Sequence, residues 1–216
     1  MNLRFRVNTL AMTKETNQGI GNHLALDFLN TSIVPKGSDQ ESLVDGQAFL
    51  CWLLSAGAID STVFQTFQVG DFNLDDAAQE ARNLRKWFQS MFDTRTGKPK
   101  LSDFEASIGI LNEILAQDRR FHAIEITGEP DGVNQVALHL ERRWTTPMSL
   151  LQPIALAIGD LFCNCNLELV KQCSAPNCAL YFYDRTKAHR RRWCSMSVCG
   201  NRAKAAANRA KKRRTL

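Results

Sequence analysis

Long apolar runs, acids near the carboxyl end and catalytic signatures are what this chain of 216 residues lacks. No stretch approaches the eighteen or so apolar residues of a membrane span. The start, Met1-Asn2-Leu3-Arg4-Phe5-Arg6, has no apolar core of the kind a secretory signal needs. A reducing cytoplasm is therefore expected, which disfavours disulfides. There is no Ser-His-Asp order, no H-E-x-x-H, no phosphate-cradling glycine loop and no carboxylate pair beside a histidine, so the expectation is that the chain is not an enzyme. With 44% hydrophobic residues it is still rich enough for a globular core.

The shortage of acids divides the chain. From Lys171 to Leu216 there are thirteen Lys and Arg against one acid, Asp184, whereas the preceding residues carry fourteen against twenty-one. The two parts are electrostatic opposites. So dense a basic end attracts polyanions and releases counterions on binding.

In that end lie Cys173-Ser174-Ala175-Pro176-Asn177-Cys178 and Cys194-Ser195-Met196-Ser197-Val198-Cys199, two C-x4-C pairs with fifteen residues between them. Two short-range pairs can each close a knuckle, and four thiolates suit the tetrahedral shell of one structural zinc ion. Such a shell leaves no open position for catalysis. His189, inside the loop, is a surface donor or a replacement ligand. Leu180-Tyr181-Phe182-Tyr183 reads as a strand with the tyrosines on one face and Leu180 and Phe182 on the other. The tyrosines either pack over the knuckle or stack on bases. After the second pair, Met196, Cys199, Ala203, Ala206, Ala207 and Ala210 recur at helical spacing, predicting a helix capped by Ser195 whose small face sits against the metal core. Arg185, Lys187, Arg190, Arg191, Arg192, Arg202, Lys204, Arg209, Lys211, Lys212 and Arg213 are left for phosphates, with Asn201 and Arg202 either reading bases or bracing the loop.

Cys199-Gly200-Asn201-Arg202, with Cys173, Cys178 and Cys194 before it and a basic, alanine-rich tail behind it, resembles the CGNR zinc finger. Gly21-Asn22-His23-Leu24-Ala25-Leu26-Asp27-Phe28-Leu29-Asn30-Thr31 resembles the opening of the ABATE domain that precedes this finger in stress-induced transcription regulators. The resemblance implies a bacterial DNA-binding regulator whose four cysteines hold zinc. It divides the chain into a leader at 1–19, an ABATE-like regulatory or assembly domain at 20–168, and the finger with its basic helix at 169–216.

The expected fold is α+β: a mainly helical first domain with a small β-hairpin, then the four-cysteine finger. Leu24 to Leu29 suits a buried strand or a short helix. Asp27 and Asn30 bond to backbone at its end or contact a small ligand. Asp39 or Ser42 caps a helix through Phe49, Trp52 and Leu53. A second helix follows Asp75 and Asp76, with Ala77, Ala81, Leu84, Trp87 and Phe88 on one face. A third, capped by Ser102 or Asp103, carries Phe104, Ile108, Leu111 and Ile114. Alternation from Phe121 to Trp144 predicts a β-hairpin bearing His122 and His139, which face solvent, serve structure, or make half a metal site. One long helix runs from Thr146 to Phe162, kinked at Pro153. Cys51, Cys163 and Cys165 are expected as reduced core thiols.

The function expected first is that of a zinc-containing transcription regulator whose finger binds duplex DNA and whose first domain senses an effector or forms a homodimer. RNA or non-specific nucleic-acid binding, and an enzyme in the first domain, are the alternatives.

Overall fold

A computed structural model describes residues 19–32, 41–92, 97–99, 104–127 and 135–214. The expected caps at Asp39, Ser102 and Asp103 fall outside these residues, as does the leader up to 18.

Helix α1 (Leu24–Asn30) settles the strand-or-helix alternative, and its start is set by His23, whose extended backbone lets Nδ1 accept the Ala25 N–H at 3.3 Å. Asp45 caps α2 (Gly46–Ser55) through Ala48 N–H at 2.7 Å, in place of the Ser42 cap expected from the sequence. Asp60 likewise caps α3 (Ser61–Val69), an unforeseen helix that buries only Val63 and Phe67. In α4 (Asp75–Ser90) the first-turn acids meet the positive end of the helix, and Asp75 also accepts the Gly46 N–H at 2.8 Å. Helix α5 (Phe104–Ala116) follows. The predicted long helix is instead a 3-10 turn (Pro147–Leu151) followed by α6 (Gln152–Asn164). Pro153 falls in the first turn of α6, where an amide hydrogen has no intrahelical acceptor, so it starts this helix and kinks nothing.

The core is made by faces of α1, α2, α4 and α6: Leu26, Phe28 and Leu29, then Phe49, Leu50 and Leu53, then Leu84 and Phe88, then Ile154, Ile158 and Leu161. Each such side chain contributes about 1.5–3 kcal/mol on burial. Arg85 is also buried there, donating to Thr31 Oγ1 at 2.6 Å and to Glu41 at 2.5 Å. Burial raises the Glu41 carboxyl, but the Arg85 guanidinium and the Leu43 N–H outweigh it and hold the group below its ordinary range. Of the other cysteines, Cys51 and Cys163 are exposed and Cys165 is half-buried, so none is the core thiol expected.

Strands β1 (Arg120–Thr127) and β2 (Gln135–Arg142) form an antiparallel pair in which His122 faces Leu140 and Ala123 faces His139. Alternation puts the two histidines on opposite faces of this sheet. That rules out the shared half-site, one of the alternatives for these two histidines, and leaves the solvent-facing and structural ones.

Strands β3 (Val170–Gln172) and β4 (Tyr181–Tyr183) also pair antiparallel, Val170 against Tyr183 and Gln172 against Tyr181. One face, with Val170, Tyr181 and Tyr183, belongs to the main core; Phe182 on the other belongs to the cysteine cluster. The alternation of tyrosines against Phe182 is as expected, but the tyrosines pack on the main core and not over the knuckle: Phe92 lies on Tyr181 with ring centroids 4.9 Å apart, and Tyr183 is half-buried. Burial takes the Tyr181 ring out of reach of base stacking.

His23 sits at the same junction, buried, with Nε2 3.3 Å from Asp160 Oδ2. Burial lowers its pKa, and the Asp160 bond only partly opposes this. Above about pH 6.5 the imidazole is neutral in folded and unfolded chains alike. Below it the unfolded chain takes up the proton first, so this contribution to stability is lost as pH falls toward the lowered folded value. Urea midpoints should therefore drop between about pH 7.5 and pH 5.5, and the drop should shrink in His23→Asn, which keeps a capping oxygen. An equal drop in the variant contradicts this assignment.

Candidate zinc centre and nucleic-acid interface

The four sequence-predicted thiols converge. Sγ atoms of Cys173, Cys178, Cys194 and Cys199 all lie within 4.8 Å of one another. Cys178 is 3.7 Å from Cys194, and Cys194 is 3.5 Å from Cys199. Tetrahedral zinc with Zn–S bonds of about 2.3 Å sets its sulfurs about 3.8 Å apart, so the donor set is compatible with one zinc ion. Burial pushes the Cys178 thiol up to about 11, and burial with the neighbouring thiols raises Cys194 further still. Burial raises Cys173 too, but the Cys194 and Ala175 N–H groups outweigh it and hold that thiol below its ordinary value, and a dication would supply the field that deprotonates Cys178 and Cys194. The residues present are thus suited to a closed, structural zinc site.

Local backbone brings them there. β3 delivers Cys173, whose N–H is held by the Leu180 carbonyl at 2.9 Å, and Cys178 closes its turn on the Ala175 carbonyl at 3.0 Å. Cys199 stands in a π-helical turn (Met196–Gly200) capped by Ser195, as predicted. At Gly200 a Cβ would come within 2.5 Å of Met196 Sδ, the end of an exposed side chain that can move aside. Asn201 then donates Nδ2 to the Ser197 carbonyl at 3.1 Å. It braces the turn, one of the two roles expected of it.

Asp184 was not singled out from the sequence, yet it organises the loop between the pairs. Fully buried, it accepts from Lys171 Nζ and Thr186 Oγ1, both at 2.6 Å, and from Arg191 N–H at 2.9 Å. Burial raises its pKa, but these donors prevail and hold it at about 2. Its being the sole acid in a basic stretch was the available signal. Arg191 has a similar part: its guanidinium lies 4.3 Å over the Phe182 ring and donates to the carbonyls of Trp193 and Cys194. His189 is outside the metal cluster, exposed, with Nδ1 3.2 Å from the Asp184 carbonyl.

Arg185, Lys187, Arg190 and Arg192 are exposed on this loop, Arg192 with its guanidinium 5.2 Å over the Trp193 ring. Helix α7 (Asn201–Arg214) leaves the finger and runs outward. Arg202, Lys204, Arg209, Lys212 and Arg213 are exposed on it, as are Ala206, Ala207 and Ala210. The alanine face was expected against the metal core; only Ala203 is partly covered. Alanine here serves helix propensity rather than packing.

Asp27 and Asn30 join the two halves. The Asn30 amide donates to the Tyr181 carbonyl at 2.9 Å and accepts the Tyr181 N–H at 2.8 Å. Asp27 Oδ1 accepts the Gly21 N–H at 2.8 Å, while the Gly21 carbonyl accepts the Tyr183 N–H at 2.8 Å. Both side chains therefore make the backbone bonds that were the alternative to ligand contact.

Two substitutions on neighbouring arginines separate bracing from surface charge. Arg191→Ala should cost about 1–3 kcal/mol of stability through the carbonyls and ring it abandons. Arg190→Ala should leave stability within about 0.5 kcal/mol. Denaturant titration with zinc present checks both, and equal losses would contradict the division.

A search of curated proteins finds no match. Two family models do match. Residues 170–212 fit the CGNR zinc finger, and residues 22–164 fit ABATE, described as "Putative stress-induced transcription regulator". Among the described residues no helix is long and apolar enough to cross a membrane. The second match covers most of the chain and the first falls on the four-thiol cluster: the chain belongs to the ABATE family and carries a CGNR zinc finger.

Proposed function

We propose that this zinc-containing regulator binds duplex DNA through α7 and the loop at 185–192, with the first domain assembling two copies and responding to a small-molecule effector. The observation that carries the reading is that α7 is exposed along nearly its whole length while bearing no acid. A free helix of this length is marginal in water, and its like charges repel one another. A polyanion relieves both burdens.

The order of residues suits a groove. Asn201, Ala205, Asn208 and Lys212 recur at i, i+4, i+7 and i+11 along one stripe, flanked by Arg202, Arg209 and Arg213 on one side and Lys204 on the other. Fourteen residues span about 21 Å, enough to lie in a major groove with the flanks toward its phosphate walls. Asn201 is committed to Ser197, which leaves Asn208 as the side chain on that stripe able to pair in bidentate fashion with adenine. In the loop, Arg185, Lys187, Arg190 and Arg192 add phosphate contacts. Arg191 serves the fold. With Tyr181 buried and Tyr183 half-buried, duplex is favoured over single strands, and a closed thiolate shell favours a structural metal over an enzyme's.

For assembly, β1 and β2 present Ile124, Ile126, Val136, Leu138 and Leu140 on one face, between 44% and 73% exposed. This apolar patch, which shares its face with His122 and ends at Arg120 and Arg142, is suited to an identical face across a two-fold axis. A dimer also gives a single small finger a second half-site.

With about six phosphates neutralised, the log–log salt slope for duplex binding should be roughly −5. Asn208→Ala should remove about 1–3 kcal/mol of preference for cognate over random duplex and leave the slope unchanged, whereas Arg209→Ala should weaken both duplexes and reduce the slope by about one. Competition titrations of zinc-loaded protein with its own upstream duplex, random duplex and single-stranded RNA check this. Equal binding to all three would discard the reading in favour of a polyanion clamp. Leu138→Glu should convert dimer to monomer by light scattering; a wild-type monomer at every concentration would end the assembly proposal.

A further inference from the structure

The molecule holds a second constellation of polar groups, far along the chain from the finger. A cleft of about 450 Å³ opens where the end of α5, the outer ends of β1 and β2, and the start of α6 meet. Gln117, Arg119, Arg143, Thr146, Ser149 and Gln152 are among its walls. Its volume lies in the range of small-molecule sites.

Gln152 is the informative residue. It is 2% exposed, and its amide nitrogen is spent on the Ile114 carbonyl at 2.5 Å. Its amide oxygen, also buried, accepts no hydrogen bond from the described residues. A buried acceptor left in this condition is costly, and native folds place such a group where something can donate to it.

The rim adds charge. Four arginines stand at the strand ends, and Asp118 accounts for two of them: it accepts from Arg120 at 2.5 Å and from Arg142 at 2.6 and 3.0 Å. Arg119 and Arg143 line the cleft and form no ion pair among the described residues. They are held side by side, because the Arg143 N–H donates to the Arg119 carbonyl at 2.8 Å. Arg143 keeps its guanidinium 4.9 Å over the Phe121 ring. Two arginines in the cleft's lining, and an unpaired buried acceptor on a third lining residue, call for a ligand that is an anion on one side and a hydrogen-bond donor on the other.

We infer that this cleft is an effector site of the first domain for a small oxyanion that also carries an O–H donor, such as hydrogen phosphate or a hydroxycarboxylate, with Arg119 and Arg143 holding the charge and Gln152 accepting the donor. This deepens the effector role proposed for the first domain and names the ligand class. An occupant touches both strand ends and the start of α6, and α6 packs on α1, whose Asn30 holds Tyr181 of the finger. Occupancy thus fixes the angle between the hairpin and the helices that carry the finger.

The test uses the full zinc-loaded chain without DNA, so that failure here is separate from failure of DNA binding. Inorganic phosphate, glycolate and sulfate are titrated at matched ionic strength and near-neutral pH, and side-chain and backbone amide resonances are followed by NMR. Phosphate or glycolate should shift the Gln152 side-chain amide and residues 117–119 and 143–149 saturably. Whichever binds more tightly identifies the oxyanion. Sulfate, which carries no O–H at this pH, should bind at least about tenfold more weakly, because it leaves the Gln152 oxygen without a donor. Arg119→Ala, an exposed change, should weaken phosphate and glycolate binding at least about tenfold while leaving the thermal midpoint of the ligand-free chain in place. Shifts confined to the finger, sulfate binding as well as both donors, or Arg119→Ala binding like wild type would each overturn the inference.

Discussion

The rest of the structure depends on the short hairpin of β3 and β4, because it has no side of its own to spare. Val170, Tyr181 and Tyr183 complete the main core, and Phe182 and Cys173 complete the thiol cluster. A hairpin of three-residue strands is marginal alone. Its position is set from one side by α1, through Asn30 and the Gly21 carbonyl, and from the other by a metal shell that about forty-five residues are too few to replace with apolar packing. Finger and first domain are therefore continuous through this element rather than strung on a linker.

That continuity gives meaning to the division of charge. The acidic part carries the core and the apolar hairpin face of β1 and β2; the basic part carries zinc and α7. The one acid in the basic part is used internally, where Asp184 collects Lys171, Thr186 and the Arg191 N–H and so keeps the loop closed. Arg191 is likewise drawn inward over Phe182. What remains outward is cation nearly without anion. Such a surface lowers its electrostatic free energy when it meets phosphates.

The zinc centre was the most legible part of the sequence, since two C-x4-C pairs leave few geometries other than a shared tetrahedral ion. Helix α4 was nearly as plain, because Asp75 and Asp76 precede an unbroken apolar period. Less legible were features whose residues serve two purposes equally well. Tyr181 and Tyr183 alternate correctly with Phe182, but with apolar residues on both faces the pattern cannot say which face meets the larger core. The alanines of α7 read as close packing and also as plain helix propensity, and the second proved to be their use. Helix α3 escaped notice because a short helix burying Val63 and Phe67 has little period to detect. Asp27 and Asn30 were marked as polar residues in apolar surroundings; their partners, Gly21 and Tyr181, could not be read, since the second lies 151 residues away. The Gln152 cleft is assembled from four separate elements and left no local trace.

The central claim, that zinc finger and first domain form one cooperative body through β3 and β4, is tested most directly by unfolding the cobalt-substituted chain in urea. Thiolate-to-cobalt absorption follows the metal site, and far-ultraviolet circular dichroism follows the helices of the first domain. The account predicts coincident transitions with one midpoint and one slope, as two-state behaviour requires. A cobalt signal lost well before the helices melt, with the helical transition unmoved by metal, would contradict it and return the finger to the status of an independent appendage.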